Sequence, residues 1–315
     1  MKTEVRVAVC SRTFSRNQVL RQELLQEFPS VRFNDDGLSL SGGTLVDFLS
    51  GYERAIVALE VINATVLDQL PDLRVISKYG VGLDMIDFEA LKERNVRLGW
   101  TGGVNRRSVA ELVVAFAIML LRHVPTANRE VLAGNWTQHI GGCITGRTIG
   151  IIGCGHVGKD LVRLLQSFDC EILAHDIRDY SDFYAAHQVQ AVDLGTLLKC
   201  SDIVTLHVPL DPSTRGILSG KYLTLMKPDS ILINTARGGL VDEQFLKKML
   251  EEGHLAAAAF DVFSVEPPED LELLSLPNFF STPHIGGSSK EAILAMGRAA
   301  ILGLTDNEIP TRDFG

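Results

Sequence analysis

Short apolar runs alternate along most of the chain with segments in which apolar residues recur at helical spacing. Strands that alternate with helices are typical of a parallel α/β sheet. One series of this kind ends near residue 100 and a second begins near Gly146, so we predict two such sheets. The predicted strands are 6–10, 31–33, 55–58, 75–79 and 96–98, followed by 148–152, 171–175, 203–207, 231–234, 256–261 and 279–281. The predicted helices are 20–27, 45–49, 65–70 and 88–94, followed by 157–167, 194–199, 221–226 and 242–252.

One long apolar segment lies between the two series. It predicts a helix over 108–122, with Ser108 as the N-cap and Glu111 three residues later, as in a capping box. Nearly every side of this helix is apolar, so we expect it to be buried between domains or between subunits. A last capped helix is predicted over 288–304.

The composition narrows the class of protein. A length of 315 residues is typical of about two domains. Hydrophobic residues make up 46% of the chain and charged residues 22%, as is ordinary for a globular protein. The formal net charge is −9 and there is no basic stripe, so we expect neither a nucleic-acid partner nor an anionic membrane partner. The most apolar stretch, 112–121, is far shorter than the roughly 20 residues of a membrane-spanning helix. The N-terminal segment has charged residues where a signal peptide would be apolar.

The cysteines indicate a reducing compartment. There are five, they are scattered, and none forms a C-x-x-C pair. We therefore expect no disulfide framework and no metal site, and a cytoplasmic location. The five are Cys10, Cys143, Cys154, Cys170 and Cys200.

A glycine-rich turn, GCGHVG, directly follows the strand predicted at 148–152 and opens a helical pattern. Glycines in this G-x-G-x-x-G spacing let the backbone approach a dinucleotide pyrophosphate at a helix N-terminus. The six strands of the second series are also what a dinucleotide-binding sheet requires. The alternative is a tight strand-to-helix turn that binds nothing. The candidate cofactor residues of the turn are Gly153, Gly155, His156, Val157 and Gly158.

Asp176 ends the next strand, 23 residues after Gly153. A carboxylate at this place accepts hydrogen bonds from a ribose diol and repels a 2′-phosphate, which favours NAD over NADP. Arg178 qualifies this preference, because a guanidinium can accommodate the 2′-phosphate. Its alternative interpretation is an exposed charge at the start of a helix.

Three further side chains form a set suited to carbonyl reduction. Arg237 follows a strand in INTARGG, where an arginine can clamp a carboxylate. Glu266 in SVEPPE and His284 in TPHIGG are each fixed by adjacent proline or glycine, and a histidine paired with a carboxylate can donate or accept a proton. Each residue, taken singly, has an equally good structural interpretation. Arg237 could form a surface ion pair, Glu266 could be a solvated loop charge, and His284 could be a core histidine.

Four motifs in a fixed order resemble those of the D-isomer-specific 2-hydroxyacid dehydrogenases. They are GIIGCGHVG, INTARGGLVDE, AAFDVFSVEPP and FFSTPHIGG. The resemblance extends from about Val75, in KYGVGLDMID, to Gly287. The segment KYGVGLDMID resembles the D-3-phosphoglycerate dehydrogenase branch of the family. The resemblance implies an α/β protein of two doubly wound parallel-sheet domains with the active site in the cleft between them. A Rossmann-type NAD-binding domain, 101–284, would be inserted into a flavodoxin-like substrate-binding domain made of 1–100 and 285–315.

The resemblance also implies a role for each candidate residue. Arg237 would bind the substrate, His284 would be the general acid in reduction and the base in oxidation, and Glu266 would keep the histidine protonated. The implied substrate-binding residues are Lys78, Tyr79, Gly80, Val81, Gly82, Asn105 and Arg237, with backbone N–H groups of 79–82 on the carboxylate and Asn105 and Ser108 at the hinge. The remaining implied cofactor residues are His207, Pro209, Thr235, Ala236, Asp261 and Gly286.

Each of three positions in this set has a structural alternative. Asp261 could cap a turn, His207 could end a buried strand, and Asn105 could be an ordinary loop residue.

The chain departs from the family pattern at three places. Many members of the phosphoglycerate branch have an arginine in the segment that matches 57–60, where this chain reads VALE, and this weakens the expectation of a phosphorylated substrate. Lys78 could supply the missing charge, as could Arg106 or Arg107, although solvated cations are the simpler interpretation of the two arginines. Gly102 stands where the hinge usually has proline. About a dozen residues follow Gly303, so we expect no additional regulatory domain.

The function implied is an NAD-dependent oxidoreductase that transfers a hydride between nicotinamide and C2 of a small D-2-hydroxy or 2-oxo acid, of the 3-phosphoglycerate, glyoxylate or hydroxypyruvate type. An alternative from another class is an NAD(H)-sensing, corepressor-like binding protein with little turnover. Formate or phosphite dehydrogenase chemistry on the same fold is a third possibility. The family commonly pairs through its cofactor domains, so a homodimer is expected.

Overall fold

A computed structural model describes residues 5–311. The described part of the chain divides into two compact units. Unit 1 contains the described residues up to Asn105 together with those from Ser288 onward, and unit 2 is Arg106–Gly287. Each unit is an α/β fold built on one parallel sheet.

Unit 1 contains a five-stranded parallel sheet in the order β2-β1-β3-β4-β5. This is the flavodoxin-like order, and its helices cover both faces of the sheet. Its strands are β1 Arg6–Val9, β2 Ser30–Phe33, β3 Arg54–Val57, β4 Val75–Lys78 and β5 Arg97–Gly99. Its helices are α1 Arg12–Arg16, α2 Gln18–Glu27, α3 Gly42–Leu49, α4 Ala64–Leu67, α5 Phe88–Glu93 and, from the end of the chain, α14 Lys290–Gly303.

Helix α14 completes the core of unit 1 although it is remote in sequence. Ser77 Oγ on β4 donates to Ala300 O at 2.6 Å, and both residues are buried. A Cβ on Gly99 would lie 2.1 Å from Gly303 O, so only glycine lets the end of α14 approach β5 this closely.

Unit 2 contains a seven-stranded parallel sheet in the order β12-β11-β10-β9-β6-β7-β8. The reversal of strand order beside β6 is that of a dinucleotide-binding sheet. Its strands are β6 Thr148–Ile152, β7 Glu171–His175, β8 Val189–Ala191, β9 Ile203–Leu206, β10 Ile231–Asn234, β11 Ala257–Phe260 and β12 Phe279–Ser281. Its helices are α6 Arg106–Leu121, α7 Val124–Leu132, α8 His156–Leu165, α9 Ser181–His187, α10 Leu194–Cys200, α11 Gly220–Leu223, α12 Glu243–Glu251 and α13 Leu271–Ser275.

The sequence pattern predicted six strands for this sheet, and the seventh, β8, was missed. It is a short edge strand of three residues, of which two are exposed. An edge strand of this kind lacks the apolar run by which buried strands are recognised. The short helices α1, α7, α9 and α13 were missed as well, and most other predicted bounds differ from the observed ones by a few residues at either end.

Helix α6 differs from its prediction at the start. It begins at Arg106, so Ser108 lies inside the first turn and is not the N-cap; its hydroxyl donates to Gly286 O at 2.6 Å. One face is buried in the core of unit 2, whereas Glu111 and Ile118 are exposed. Among the described residues, no single helix has the length and apolar composition of a membrane span; α6 and α7 satisfy that test only when taken together across a 63° bend.

Candidate active site

The glycine-rich turn lies between β6 and α8, and its three glycines have three different environments. Gly153 has φ +92°, and a Cβ there would lie 2.7 Å from His207 O. A Cβ on Gly158 would lie 2.4 Å from Gly153 O, which fixes α8 close to the strand. The position of a Cβ on Gly155 has no atom within 4 Å. The turn is therefore tightly packed beneath and open at Gly155, where a pyrophosphate would approach the N-terminus of α8.

Asp176 follows β7 at the same edge of the sheet. Its Oδ2 accepts a hydrogen bond from Cys154 N at 2.6 Å, and its Oδ1 accepts one from Arg178 N at 2.8 Å. These bonds orient the carboxylate next to the glycine-rich turn and leave lone pairs for further donors. A cavity of about 330 Å³ opens beside it, a volume in the range of small-molecule sites. Its lining includes Asp176, Arg178, Ser181, Tyr184 and Val192.

Positive charge surrounds the start of α8. Burial, followed by the charges of Arg106, Lys159 and Arg178, lowers the pKa of His156. The neutral imidazole is thus favoured in the protein without a ligand, and three cations act on the space before the helix. Such an arrangement suits an anionic ligand at Gly155.

Two polar groups follow the next strands, and Thr235 is buried. Burial lowers the pKa of His207 to about 3, and its Nε2 lies 3.0 Å from Thr205 Oγ1. The buried Oγ1 of Thr235 has no hydrogen-bond partner among the residues that the structure describes. An unpartnered buried hydroxyl is costly. Both groups therefore fit a polar ligand group at this edge, where the family resemblance implies the nicotinamide.

Arg237, Glu266 and His284 follow β10, β11 and β12, respectively. These strands are neighbours and parallel, so their carboxyl ends bring the three residues to one edge of the sheet. His284 Nδ1 lies 2.9 Å from Glu266 Oε2, and both side chains are substantially exposed, which leaves the other ring nitrogen accessible to a substrate. The family resemblance implied this pair, and the structure brings the two side chains together.

A buried carboxylate holds the turn that bears His284. Asp261 accepts hydrogen bonds from Ile285 N and Gly286 N, each at 2.7 Å, and from the hydroxyl of Thr282. His284 itself has φ +55°, a left-handed conformation that a non-glycine residue adopts only when its surroundings impose it. The resemblance implied Asp261 as a ligand of the nicotinamide carboxamide; in the structure both of its oxygens accept hydrogen bonds from the turn that bears His284.

Asn234, which the sequence analysis did not single out, fixes the backbone of the turn that bears Arg237. Its Oδ1 accepts from Ala236 N at 3.1 Å, and its Nδ2 donates to Arg237 O at 2.8 Å. Arg237 Nη1 donates to Ala236 O at 2.7 Å. The signal available in the sequence was an amide at the end of an apolar strand immediately before a turn.

In unit 1, the loop that follows β4 differs from the expectation that all the backbone N–H groups of 79–82 are available to a carboxylate. Tyr79 N donates to Val57 O at 2.8 Å and belongs to the sheet, so it is not available to a carboxylate; the Tyr79 ring is buried against Phe14. Among the described residues, the N–H groups of Gly80, Val81 and Gly82 have no acceptor, and Gly80 has φ +110°. Three successive N–H groups in a glycine-rich turn form an anion-binding concavity.

Two of the cations considered for the substrate have structural partners. Lys78 is buried, and its Nζ donates to Ala58 O at 2.5 Å and to Tyr79 O at 3.3 Å. Arg107 makes a two-pronged ion pair with the buried Asp160, at 2.8 and 3.1 Å. The buried Oδ1 of Asn105 has no partner among the described residues, and Pro209 is exposed.

Comparisons with known proteins agree with this arrangement. The family model for the D-isomer specific 2-hydroxyacid dehydrogenase, NAD binding domain, matches residues 114–286. The hydroxypyruvate reductase of Thermotoga maritima is 38% identical over 75% of this chain and 78% of its own length. The (S)-sulfolactate dehydrogenase of Chromohalobacter salexigens is 38% identical over 88% of this chain and 93% of its own length.

A solved structure is similar over nearly the full chain. It is described as a D-isomer specific 2-hydroxyacid dehydrogenase, NAD-binding, from Polaromonas sp. JS6 66, with a TM-score of 0.87, 30% identity and 95% coverage of both chains. The matched part is 46% of the D-3-phosphoglycerate dehydrogenase of Methanocaldococcus jannaschii and 93% of the (S)-sulfolactate dehydrogenase, so some relatives extend well beyond the match.

Proposed function

Because the chain belongs to the D-isomer specific 2-hydroxyacid dehydrogenase family, and is thus an NAD-dependent oxidoreductase, we propose that Arg237, Glu266 and His284 interconvert a small 2-oxo acid and its D-2-hydroxy acid. The observation that supports this most directly is the His284–Glu266 pair at 2.9 Å, on the strand end next to that of Arg237. The comparisons give no support to the alternative of an NAD(H)-sensing binding protein.

We propose the following roles for the residues of unit 2. NAD supplies the hydride carrier that exchanges with C2 of the substrate. The ring nitrogen of His284 that does not face Glu266 donates a proton to the carbonyl oxygen in reduction and takes it back in oxidation. Glu266 orients the imidazole, and Arg237 binds the substrate carboxylate and polarises the carbonyl.

Unit 1 would supply the substrate-binding groups. The N–H groups of Gly80, Val81 and Gly82 would bind the substrate carboxylate, and Asn105 would contribute its unpartnered amide oxygen. Lys78 would act through the loop that it fixes, because its ammonium already serves two carbonyl oxygens. In this assignment unit 1 is the substrate-binding domain and unit 2 the NAD-binding domain, close to the bounds 1–100 with 285–315 and 101–284 expected from the sequence.

For the cofactor we propose NAD rather than NADP. The Gly155 opening fits the pyrophosphate and the Asp176 carboxylate fits a ribose diol, while its charge opposes a 2′-phosphate. The remaining cofactor residues would shape the site through backbone and apolar contacts; they are Gly153, Val157, Gly158, Ala236, Pro209 and Gly286. The substrate would be of the glyoxylate, hydroxypyruvate or 3-phosphoglycerate type, and the cytoplasm is the proposed location.

We also propose a homodimer formed through unit 2. Helix α7 and the segment after it expose several large apolar side chains, with Trp136 at 83% and Ile140 at 96% of full exposure. Leu132, the last residue of α7, is 79% exposed. Several large apolar side chains exposed within one short segment are typical of an association site.

Replacing His284 with Ala tests the proposed chemistry. Loss of the proton donor should lower kcat for 2-oxo acid reduction about 100- to 10,000-fold, while NADH affinity measured by fluorescence stays the same. Glu266→Gln should lower kcat about 100-fold, since the imidazole loses the carboxylate that orients it. Near-normal turnover of the His284→Ala protein would contradict the assignment, and an unchanged kcat of the Glu266→Gln protein would contradict the His–Glu pair.

A further inference from the structure

The exits of β3 and β4 lie side by side in unit 1. The two strands are parallel neighbours in the register Val57 with Lys78, so residues 58–60 leave the sheet next to the loop 79–82. Neighbouring strands are about 4.8 Å apart. A three-carbon acid is about as long as this spacing, so a substrate whose carboxylate occupies the N–H groups of 80–82 has its other end within reach of 58–60.

A carboxylate is fixed at the exit of β3. Glu60 folds back so that its Oε2 accepts a hydrogen bond from Ala58 N at 2.6 Å, and its side chain is half-buried. Its charge also reaches the neighbouring strand exit. Burial and then the negative charge of Glu60 raise the pKa of the Cys10 thiol, just after β1, and the charge of Arg32 on β2 lowers it by less. The adjacent leucine, Leu59, is 72% exposed.

A lysine at this edge is buried, whereas the Glu60 side chain is only half-buried. Lys78 is 5% exposed, and its ammonium donates to Ala58 O and Tyr79 O beneath the loop. A ligand above the loop therefore meets backbone N–H groups, a leucine side chain and a carboxylate. Such a surface suits one carboxylate and a neutral substituent, and it opposes a second anionic group.

We propose that Glu60 is a specificity-determining residue that restricts the substrate to 2-oxo and 2-hydroxy acids without a second negative charge. The inference rests on the proposed function and selects, among its substrates, the hydroxypyruvate and glyoxylate type over the phosphorylated type. A unit charge near 4 Å in a water-like medium changes affinity about fivefold. The penalty should therefore be about fivefold for a monoanionic substituent and about 20-fold for a dianionic one.

The test compares three 2-oxo acids whose substituents differ in charge, each reduced with NADH. We would measure kcat/KM for hydroxypyruvate, 3-sulfopyruvate and 3-phosphohydroxypyruvate in the wild type, in Glu60→Gln and in the control Glu53→Gln. The glutamine retains an oxygen that can accept from Ala58 N, so the loop should keep its shape. Glu53 immediately precedes β3 at the opposite end of the sheet, so its replacement removes the same charge far from the loop.

In Glu60→Gln, kcat/KM relative to hydroxypyruvate should rise about fivefold for the sulfonate and about 20-fold for the phosphate ester, and Glu53→Gln should change neither ratio. Raising the ionic strength to about 1 M should increase both ratios in the wild type and have much less effect in Glu60→Gln, because salt screens the repulsion. Equal ratios in the two variants would overturn the inference while leaving the proposed function intact. Failure of all three acids to be reduced by the wild type would instead count against the proposed function itself.

Discussion

His207 illustrates how burial alone determines a protonation state. Its imidazole follows a fully buried strand and has Thr205 Oγ1 as its hydrogen-bond partner. No opposite charge contributes, and burial lowers the pKa to about 3. A neutral ring beside the proposed nicotinamide site can accept or donate a hydrogen bond without adding charge to the site.

This shift makes stability depend on pH in a defined direction. Below its ordinary pKa of about 6.5 the unfolded chain binds a proton at His207, whereas the folded chain does not until about pH 3, so stability falls as pH decreases through this window. Between pH 7 and pH 5 the wild type should lose about 2 kcal/mol from this group, measured by urea unfolding without cofactor. His207→Asn should lose correspondingly less, and identical pH dependence of the two proteins would contradict the assigned protonation state.

At the scale of elements, the strand-turn-helix unit of β6 and α8 separates folding from binding. Gly158 is required by packing, because any Cβ there meets the backbone of Gly153. Gly155 is not required by packing, since its φ is −73° and the space around it is open. The two glycines of one motif therefore serve different purposes, which the motif itself does not show.

Matched alanine substitutions should separate the two purposes. Gly158→Ala forces α8 away from the strand and should lower the unfolding free energy by about 1–3 kcal/mol, as overpacking does, and weaken NADH binding as a consequence. Gly155→Ala should leave the thermal midpoint nearly unchanged but reduce NADH affinity at least tenfold, because the methyl group occupies the proposed pyrophosphate space. Thermal unfolding of the apoprotein and NADH fluorescence titration measure the two effects. Unimpaired NADH binding by Gly155→Ala would contradict the cofactor assignment.

At the scale of the whole molecule, the fold assembles its chemistry from distant parts of the chain. Arg237, Glu266 and His284 come from the ends of three successive parallel strands, and no two of them are close in sequence. Unit 1 is closed by α14, which lies after the whole of unit 2 in the chain. Both arrangements follow from parallel sheets, in which successive strand ends meet at one edge and loops there bear the functional groups.

The proposed homodimer can be tested on the exposed apolar surface of unit 2. Trp136→Glu introduces a charge where a partner would bury the indole and should convert the dimer to a monomer in light scattering at micromolar concentration. The control is Leu302→Glu on α14, where a leucine is 54% exposed in unit 1. A monomeric wild type, or equal masses for the two variants and the wild type, would contradict the proposed interface.

Most of the fold and the candidate catalytic set could be predicted from the sequence. Apolar periodicity is a local property, so eleven of the twelve strands that the structure describes could be predicted from it, and the one that escaped is the short, polar edge strand β8. Residue type and local spacing also singled out the glycine-rich turn, Asp176 and the set of Arg237, Glu266 and His284, and the roles proposed for this set come from the family resemblance.

The bonding partner of each group, by contrast, is known only once the chain is folded. The fold engages Asp261 in fixing the turn of His284, places the Tyr79 N–H in the sheet and directs Ser108 to Gly286 instead of a helix cap. It also sets Glu60 beside the loop that follows β4. These outcomes depend on hydrogen bonds and charges between segments that are distant in sequence, and no local pattern of hydrophobic and polar positions contains that information.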